Sequence, residues 1–216
     1  MFGTGRPHKG RPVFHVRTLL GTPYPRGGGV AVDRLLFQWI NGLAGHWFVL
    51  DWFMVILAEW VLRLTPLLLA GLWFWPGPGR PGRRIAVVLT SLAILLALGL
   101  TDLPSIVFYR PRPFEAGAAT VLVRNPPALP SFPSAHVAVA AAFVSAMGRR
   151  LGKWSAAAWA LVAGSMFARV FIGVHYPADV LGGLVSGWVA GAVVYHNRDV
   201  LHAFALRIVD MGEELL

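Results

Sequence analysis

The chain has 216 residues, of which 56% are hydrophobic and only 13% are charged. This composition is too apolar and too poor in charge for an ordinary soluble domain, so we assign the chain to the membrane class. Its net charge of +9 does not indicate a nucleic-acid partner, because the arginines cluster at the ends of apolar segments, where lipid headgroups and topology explain them. The absence of cysteine excludes disulfides and thiolate metal sites.

The chain begins with a segment rich in Gly, Pro and Arg. Residues 1–30 contain no apolar run long enough for a secretory signal peptide, and we expect them to form a flexible basic arm. Residues 35–50 follow as a short apolar stretch that carries Gln38, Asn41 and His46. This stretch is consistent with an interfacial helix or with a marginal additional span.

Five apolar segments then predict membrane-spanning helices, because each approaches the length needed to cross a bilayer. We place them at approximately 52–75, 84–109, 134–149, 153–170 and 177–196. Glu59 and Arg63 are four residues apart in the first span, away from the polar blocks described below, and we interpret them as a mutual ion pair that eases insertion. A helical period over residues 198–216 predicts an amphipathic C-terminal tail on the membrane or in solvent.

The fold class is therefore all-α, a polytopic membrane helix bundle with five to six transmembrane helices and one membrane domain over residues 31–197. Alternating the spans places one cluster of basic residues at one end of the bundle: Arg80, Arg83, Arg84, Arg149, Arg150 and Lys153. This end is cytoplasmic by the positive-inside rule, so the opposite end faces the periplasm or outside of the inner (plasma) membrane. The positive residues among the first 34 also prefer the cytoplasm, which favours six spans over five.

Three polar blocks stand at the ends of these spans. In the first, Arg110-Pro111-Arg112-Pro113, proline restricts the backbone and holds two guanidinium groups stiffly. A planar guanidinium can bind two phosphate oxygens at once. In the second, Ser134 precedes an alanine-rich helix and is placed to cap it, with His136 in the first turn. The free N–H groups after Ser134 predict an anion site.

The third block contains Arg169, His175 and Asp179. Pro177 marks a helix start, so His175 immediately precedes that helix and Asp179 lies in its first turn. A carboxylate so placed can keep one imidazole nitrogen protonated and leave the other free to attack phosphorus. A headgroup anchor, a plain helix cap or an interfacial histidine would explain each block alone. The three blocks together on one face predict a site that transfers a phosphoryl group.

These blocks resemble the pattern of the type 2 phosphatidic acid phosphatase superfamily, most of all its bacitracin-resistance branch, the undecaprenyl-pyrophosphate phosphatases. The matching residues are Arg112-Pro113, Pro133-Ser134-Ala135-His136, Arg169, His175 and Asp179. The resemblance implies that His175 is the nucleophile that forms a phosphohistidine, that Asp179 orients it, and that His136 protonates the departing oxygen. It also implies that Arg112, Ser134 and Arg169 bind the phosphate.

The chain departs from this pattern at three positions. Ser105 replaces the family's lysine, Ala135 replaces the usual glycine, and Ala168 replaces the serine before Arg169. We expect Ala135 to lie beside the phosphate and Arg110 to supply the missing positive charge. We expect no cofactor and no metal, because one carboxylate among several cations suits a bare phosphate better than Mg²⁺.

The sequence thus predicts a metal-independent hydrolase whose best substrate is a polyprenyl lipid, undecaprenyl pyrophosphate, with membrane lipids around it and an oligomeric state left open. The nearest alternatives are a phosphatase for phosphatidylglycerophosphate, phosphatidate or lipid A, and a lipid phosphotransferase, since the motifs bind the phosphate and not the lipid. The alternative from another class is a catalytically inactive lipid-binding protein or transporter. Against it, His136, His175 and Asp179 are all present.

Overall fold

The computed structural model describes residues 28–117, 119–124 and 129–214, and nearly all of the predicted basic arm lies outside them. The helices are α1 (Gly28–Asn41), α2 (Phe48–Phe74), α3 (Arg80–Val107), α4 (Ala135–Met147), α5 (Ser155–Phe171), α6 (Pro177–His196) and α7 (Arg198–Glu214). A short 3-10 segment, Gly148–Trp154, links α4 to α5. The predicted all-α fold is confirmed.

The five predicted spans correspond to α2 through α6. Four of these helices are long and apolar enough to cross a membrane, judged by length and composition: α2, α3, α6, and α5 together with the turn before it. With 13 residues, α4 is shorter, about 20 Å at 1.5 Å per residue. Its alanines Ala138, Ala141 and Ala142 are fully buried, so α4 is the central helix of the bundle.

Close packing of α4 against α6 depends on small residues. Gly183 and Gly187 of α6 lie directly against the backbone oxygens of Ser134 and Ala138 in the α4 segment, leaving no room for a Cβ atom. Without a hydrophobic driving force between helices in lipid, such close backbone approach supplies the van der Waals contact that holds them together. The packing fixes the start of α4, and hence His136, against the start of α6.

Helix α1 lies across the end of the bundle where the polar blocks meet, and with 14 residues it is not among the described helices that are long and apolar enough to cross a membrane. Near its start, Asp33 accepts a hydrogen bond from the backbone N–H of Ala178 at the beginning of α6 (2.8 Å). At its end, Asn41 donates to the carbonyl oxygens of Thr120 and Phe171 (both 2.8 Å). Both ends of α1 therefore contact the same end of the bundle, which does not fit the crossing of residues 35–50 that a sixth span required.

The amphipathic C-terminal segment forms α7 at the opposite end of the bundle. Ala205 and Val209 on one face of α7 are buried against Ile85 and Val88 of α3. The sequence predicted that this segment would rest on the membrane or in solvent. Instead, one of its faces packs against the protein, because its apolar stripe matches the apolar start of α3.

Candidate active site

The three polar blocks meet in one cavity of about 410 Å³ at the α1 end of the bundle. The predicted site residues that line it are Arg112, Ala135, His136, Arg169 and His175. Glu59, Arg63, Asp102, Ser105 and Arg124 also line it. Four parts of the chain thus converge on this cavity, as the sequence predicted: the end of α3 with the loop after it, the start of α4, the end of α5 and the turn before α6.

His175 is held in one orientation by the backbone before α4. It is only 2% exposed, and its Nδ1 atom lies 2.9 Å from the carbonyl oxygen of Ser131. Because a carbonyl oxygen only accepts hydrogen bonds, Nδ1 carries the proton in the neutral ring. Nε2 therefore keeps its lone pair, which is the state that a nucleophilic imidazole requires. Ser131 could not be predicted from the sequence, since it contacts His175 through a main-chain atom.

Asp179 is fully buried and accepts three short hydrogen bonds. Ser131 Oγ donates to Oδ2 at 2.5 Å, the backbone N–H of Tyr176 donates to Oδ2 at 2.8 Å, and Arg110 Nη1 donates to Oδ1 at 2.6 Å. The distance from Oδ2 to His175 Nδ1 is 3.8 Å, beyond hydrogen-bond range. Asp179 thus acts on His175 by its charge and by holding Ser131, the residue whose carbonyl fixes the ring.

The guanidinium group of Arg110 forms ion pairs with two carboxylates. Besides Asp179 it contacts Asp33 of α1, and it stacks over the Tyr176 ring at 4.4 Å from the centroid. The expectation that Arg110 replaces the missing lysine at the phosphate does not fit this placement, because both of its terminal nitrogens already bind anions. Asp33 is a further residue that the sequence did not indicate, since it comes from a helix far from the motif blocks.

Arg112 is placed to bind an anion. It is 6% exposed, its Nε donates to the carbonyl oxygen of Leu129 at 2.8 Å, and its Nη1 is buried without a hydrogen-bond partner among the described residues. Burial lowers the pKa of Arg112 below its usual value, while Glu115 acts in the opposite direction. A buried guanidinium with a free N–H group is stabilised when an anion such as phosphate completes its hydrogen bonds.

Ser134 stands at the N-cap position of α4 in the extended conformation, as predicted, but its hydroxyl makes no capping bond. The Oγ atom is buried and lacks a hydrogen-bond partner within the described part of the chain. Ala135 and His136, the next two residues, line the cavity. The hydroxyl of Ser134 and the free N–H groups of the first turn of α4 are thus available at the place where the sequence predicted anion binding.

Arg169 is 3% exposed and forms an ion pair with Glu59 of α2, with 2.7 Å between Nη1 and Oε1. The other carboxylate oxygen of Glu59 binds Arg63 at 3.0 Å, so the predicted Glu59–Arg63 pair is present. The interpretation that this pair lies away from the motif blocks was wrong. Position 59 of α2 faces the end of α5, and the sequence could not show this because the helices meet only in the folded bundle.

The electrostatic environment of His175 favours its neutral form. Burial lowers the pKa of His175 to about 4, and the positive charges of Arg169 and Arg112 act in the same direction, whereas Asp179 raises it. A histidine with this pKa is unprotonated throughout the neutral pH range. Its Nε2 lone pair is therefore available next to the cations that would hold the phosphate.

The sequence profile of the PAP2 superfamily matches residues 86–202, which include all three blocks. The chain is 32% identical to "Undecaprenyl-diphosphatase BcrC" of Bacillus subtilis (strain 168), over 84% of this chain and 92% of that protein. It is 29% identical to "Putative undecaprenyl-diphosphatase YbjG" of Escherichia coli (strain K12), over 62% of this chain and 67% of that protein.

The fold is also similar to a solved structure, that of Aquifex aeolicus LpxE. The TM-score is 0.64 at 25% sequence identity, with 76% of this chain and 94% of the other covered. On the profile match, the similarity to BcrC and the shared fold, this multi-pass membrane protein belongs to the PAP2 superfamily.

Proposed function

We propose that the protein hydrolyses undecaprenyl pyrophosphate to undecaprenyl phosphate and inorganic phosphate. The observation that carries this proposal is the state of His175: a buried neutral imidazole, with Nδ1 donating to Ser131 and Nε2 free, in a cavity that Arg112 and Arg169 also line. This arrangement combines a nucleophile with preorganised positive charge where negative charge develops in phosphoryl transfer.

In the first step, Nε2 of His175 attacks the terminal phosphorus and the bond from that phosphorus to the bridging oxygen breaks. The bridging oxygen leaves with undecaprenyl phosphate and takes a proton from the imidazolium form of His136, which lines the same cavity and is favoured by the negative charge of the bound diphosphate. In the second step, water gives up a proton to His136 and attacks the phosphohistidine. Inorganic phosphate departs, and both histidines return to their starting states.

A lipid substrate is supported by a second cavity that opens along the bundle. This cavity of about 310 Å³ is formed by α2, α4 and α5 and is lined almost entirely by apolar side chains, including Trp60, Leu64, Phe143 and Leu161. The two cavities share no lining residue, but α2, α4 and α5 contribute side chains to both, so the apolar cavity lies between the same helices as the polar one. The names of the two relatives support the polyprenyl diphosphate in particular.

The positive-inside rule supports a site that faces the periplasm or outside of the plasma membrane. Arg80, Arg83 and Arg84 at the start of α3, with Arg150 and Lys153 before α5, lie at the end of the bundle opposite the cavity. Basic loop residues favour the cytoplasmic side. The cavity would then receive a carrier lipid released outside the cytoplasm.

The test is phosphate release by the purified protein from matched detergent micelles of undecaprenyl pyrophosphate, phosphatidate and phosphatidylglycerophosphate. We expect the pyrophosphate to be turned over fastest and His175→Ala to abolish turnover. His196→Ala, an exposed histidine at the opposite end of α6, is the matched control and should retain full activity. Faster turnover of either glycerolipid would contradict the substrate assignment, and more than a few per cent of activity in His175→Ala would contradict the phosphohistidine.

A further inference from the structure

Two guanidinium groups share the single carboxylate of Glu59. Oε1 of Glu59 binds Arg169 at 2.7 Å, and Oε2 binds Arg63 at 3.0 Å. The two ion pairs differ in burial: the side chain of Arg169 is 3% exposed, whereas that of Arg63 is 62% exposed. Glu59 therefore neutralises one positive charge, and the pair of arginines retains a surplus of one.

The cavity as a whole also has a surplus of positive charge, here of two. Its charged lining residues are four arginines, Arg63, Arg112, Arg124 and Arg169, and two carboxylates, Glu59 and Asp102. A single terminal phosphate at His175 is held by Arg112 and Arg169, both of which are buried beside that histidine. Arg63 is not required to bind such a phosphate. It lies on α2, whereas Arg112 and Arg124 lie in the loop after α3 and Arg169 lies on α5.

An arginine without its own counter-ion in a membrane-spanning helix has a high free energy unless an anion binds to it. Arg63 lies 15 residues into the 27-residue helix α2, so it is far from either end. Its exposed side chain lines the cavity, which places the guanidinium where a bound ligand can reach it. Glu59 holds it by one oxygen only, so the remaining N–H donors are available to a second ligand oxygen.

We propose that Arg63 forms a subsite for a second phosphate, the one that stays attached to the lipid after the terminal phosphate is transferred. This proposal rests on the function proposed above and names the feature that selects a diphosphate over a monophosphate. A lipid monophosphate binds to Arg112 and Arg169 but not to Arg63. A diphosphate also brings charge to Arg63, and there the subsite stabilises the negative charge that the leaving phosphate gains as the bridging bond breaks.

The experiment compares undecaprenyl pyrophosphate with undecaprenyl phosphate in matched micelles, for the wild type and for Arg63→Gln. We expect kcat/KM for the diphosphate to fall on the order of tenfold or more, as loss of one charge-assisted contact implies, with little change for the monophosphate. Arg80→Gln, at the exposed start of α3 and outside both cavities, is the matched control and should behave as wild type. An equal loss for both lipids, or no loss, would overturn the proposal.

Binding to the inactive His175→Ala protein gives a second measurement that does not depend on monophosphate turnover. Adding Arg63→Gln should raise the Kd for undecaprenyl pyrophosphate and leave that for undecaprenyl phosphate unchanged. Ser105→Lys places a new cation in the same cavity from α3 and should restore diphosphate binding to the Arg63→Gln protein. Absence of this recovery would show that the loss does not come from cavity charge. A wild type without activity on any of these lipids would instead contradict the proposed function itself.

Discussion

The carboxylate of Asp179 has its hydrogen-bonding capacity nearly filled by Arg110, Ser131 and the backbone of Tyr176. Such a group is rigid, because moving it would break several charge-assisted bonds at once. It fixes Ser131, and Ser131 in turn fixes the tautomer of His175. Arg110 extends this chain to Asp33 on α1. His175 is thus held by a network whose other members do not line the cavity.

Arg110→Ala should therefore act on positioning. Removing one buried charge-assisted hydrogen bond implies a loss on the order of tenfold. We expect that loss in kcat, with KM little changed, and we expect Asp33→Asn to lower kcat in the same way. Steady-state kinetics of the two single variants and the double variant would check this, because partners in one network give non-additive losses. A rise in KM at constant kcat would contradict the positioning role and would indicate that Arg110 binds the phosphate.

The lowered pKa of His175 leads to a second prediction, which concerns the protonation state of its ring. Burial and the nearby arginines place its pKa at about 4, so the ring should remain neutral as pH falls from 7 to 5 and gain its second proton only near pH 4. Nitrogen-15 NMR of histidine-labelled protein, with the signal assigned by His175→Gln, would report both the charge and the Nδ1–H tautomer. Titration near the ordinary value of 6.5 would contradict this reading.

Metal independence is a third prediction for the site. The cavity provides cations where a phosphate would lie, and these can perform the charge stabilisation that Mg²⁺ provides elsewhere. We expect full turnover in EDTA and inhibition by vanadate, which adopts the five-coordinate geometry of phosphoryl transfer. Activity that EDTA removes and Mg²⁺ restores would show that this expectation is wrong.

Residues that carry the motifs could be predicted from the sequence, whereas their partners could not. Arg112, His136, Arg169 and His175 line the cavity because spacing along the chain places them at span ends. Other contacts join helices that are distant in sequence: 145 residues separate Asp33 from Ala178, and 110 separate Glu59 from Arg169. A single sequence contains no periodicity that reports such distances, so these contacts depend on how the helices pack.

At the scale of elements, the α4–α6 contact determines where the second and third blocks meet. Gly183, Gly187 and Gly191 recur every four residues on one face of α6, and each faces backbone or small side chains of the α4 segment. The alanine-rich composition of α4 predicted a helix but not its central position. That position follows from the match between its small residues and the glycine face.

Gly187→Ala should destabilise the bundle, because a Cβ atom there meets the carbonyl oxygen of Ala138. Overpacking of this kind costs about 1 to 3 kcal/mol. Gly99→Ala is the matched control: its Cβ meets open space in α3, and alanine is the better helix former. Thermal unfolding in detergent should show a lower Tm for Gly187→Ala and an unchanged or higher Tm for Gly99→Ala. Equal Tm values would contradict the tight α4–α6 contact.

At the scale of the whole molecule, a bundle of membrane-crossing helices has its two ends on opposite sides of the membrane. One end carries α1 and the cavity, and the other carries α7 and the basic loops. The chain contains no cysteine, so a single introduced cysteine reports its own side without interference. This makes the orientation of the bundle directly measurable.

Ala116→Cys, in the exposed loop after α3, should react with a membrane-impermeant maleimide in intact cells. Lys153→Cys, exposed before α5, should react only after the membrane is opened. These results are expected because the positive-inside rule predicts that the basic end is cytoplasmic. The reverse labelling pattern would place the cavity in the cytoplasm and would remove the support for a carrier lipid released outside.

The double ion pair of Glu59 has a consequence for biosynthesis. Arg169 follows Glu59 by 110 residues, so at translation rates of 5 to 20 residues per second it arrives about 5 to 20 s later. During that interval α2 already contains the carboxylate. Arg63, four residues on in the same helix, is synthesised almost at once and can neutralise Glu59 while α2 enters the bilayer. Arg63 can thus pair with Glu59 until α5 is made, and in the finished bundle Glu59 binds both arginines, one through each oxygen.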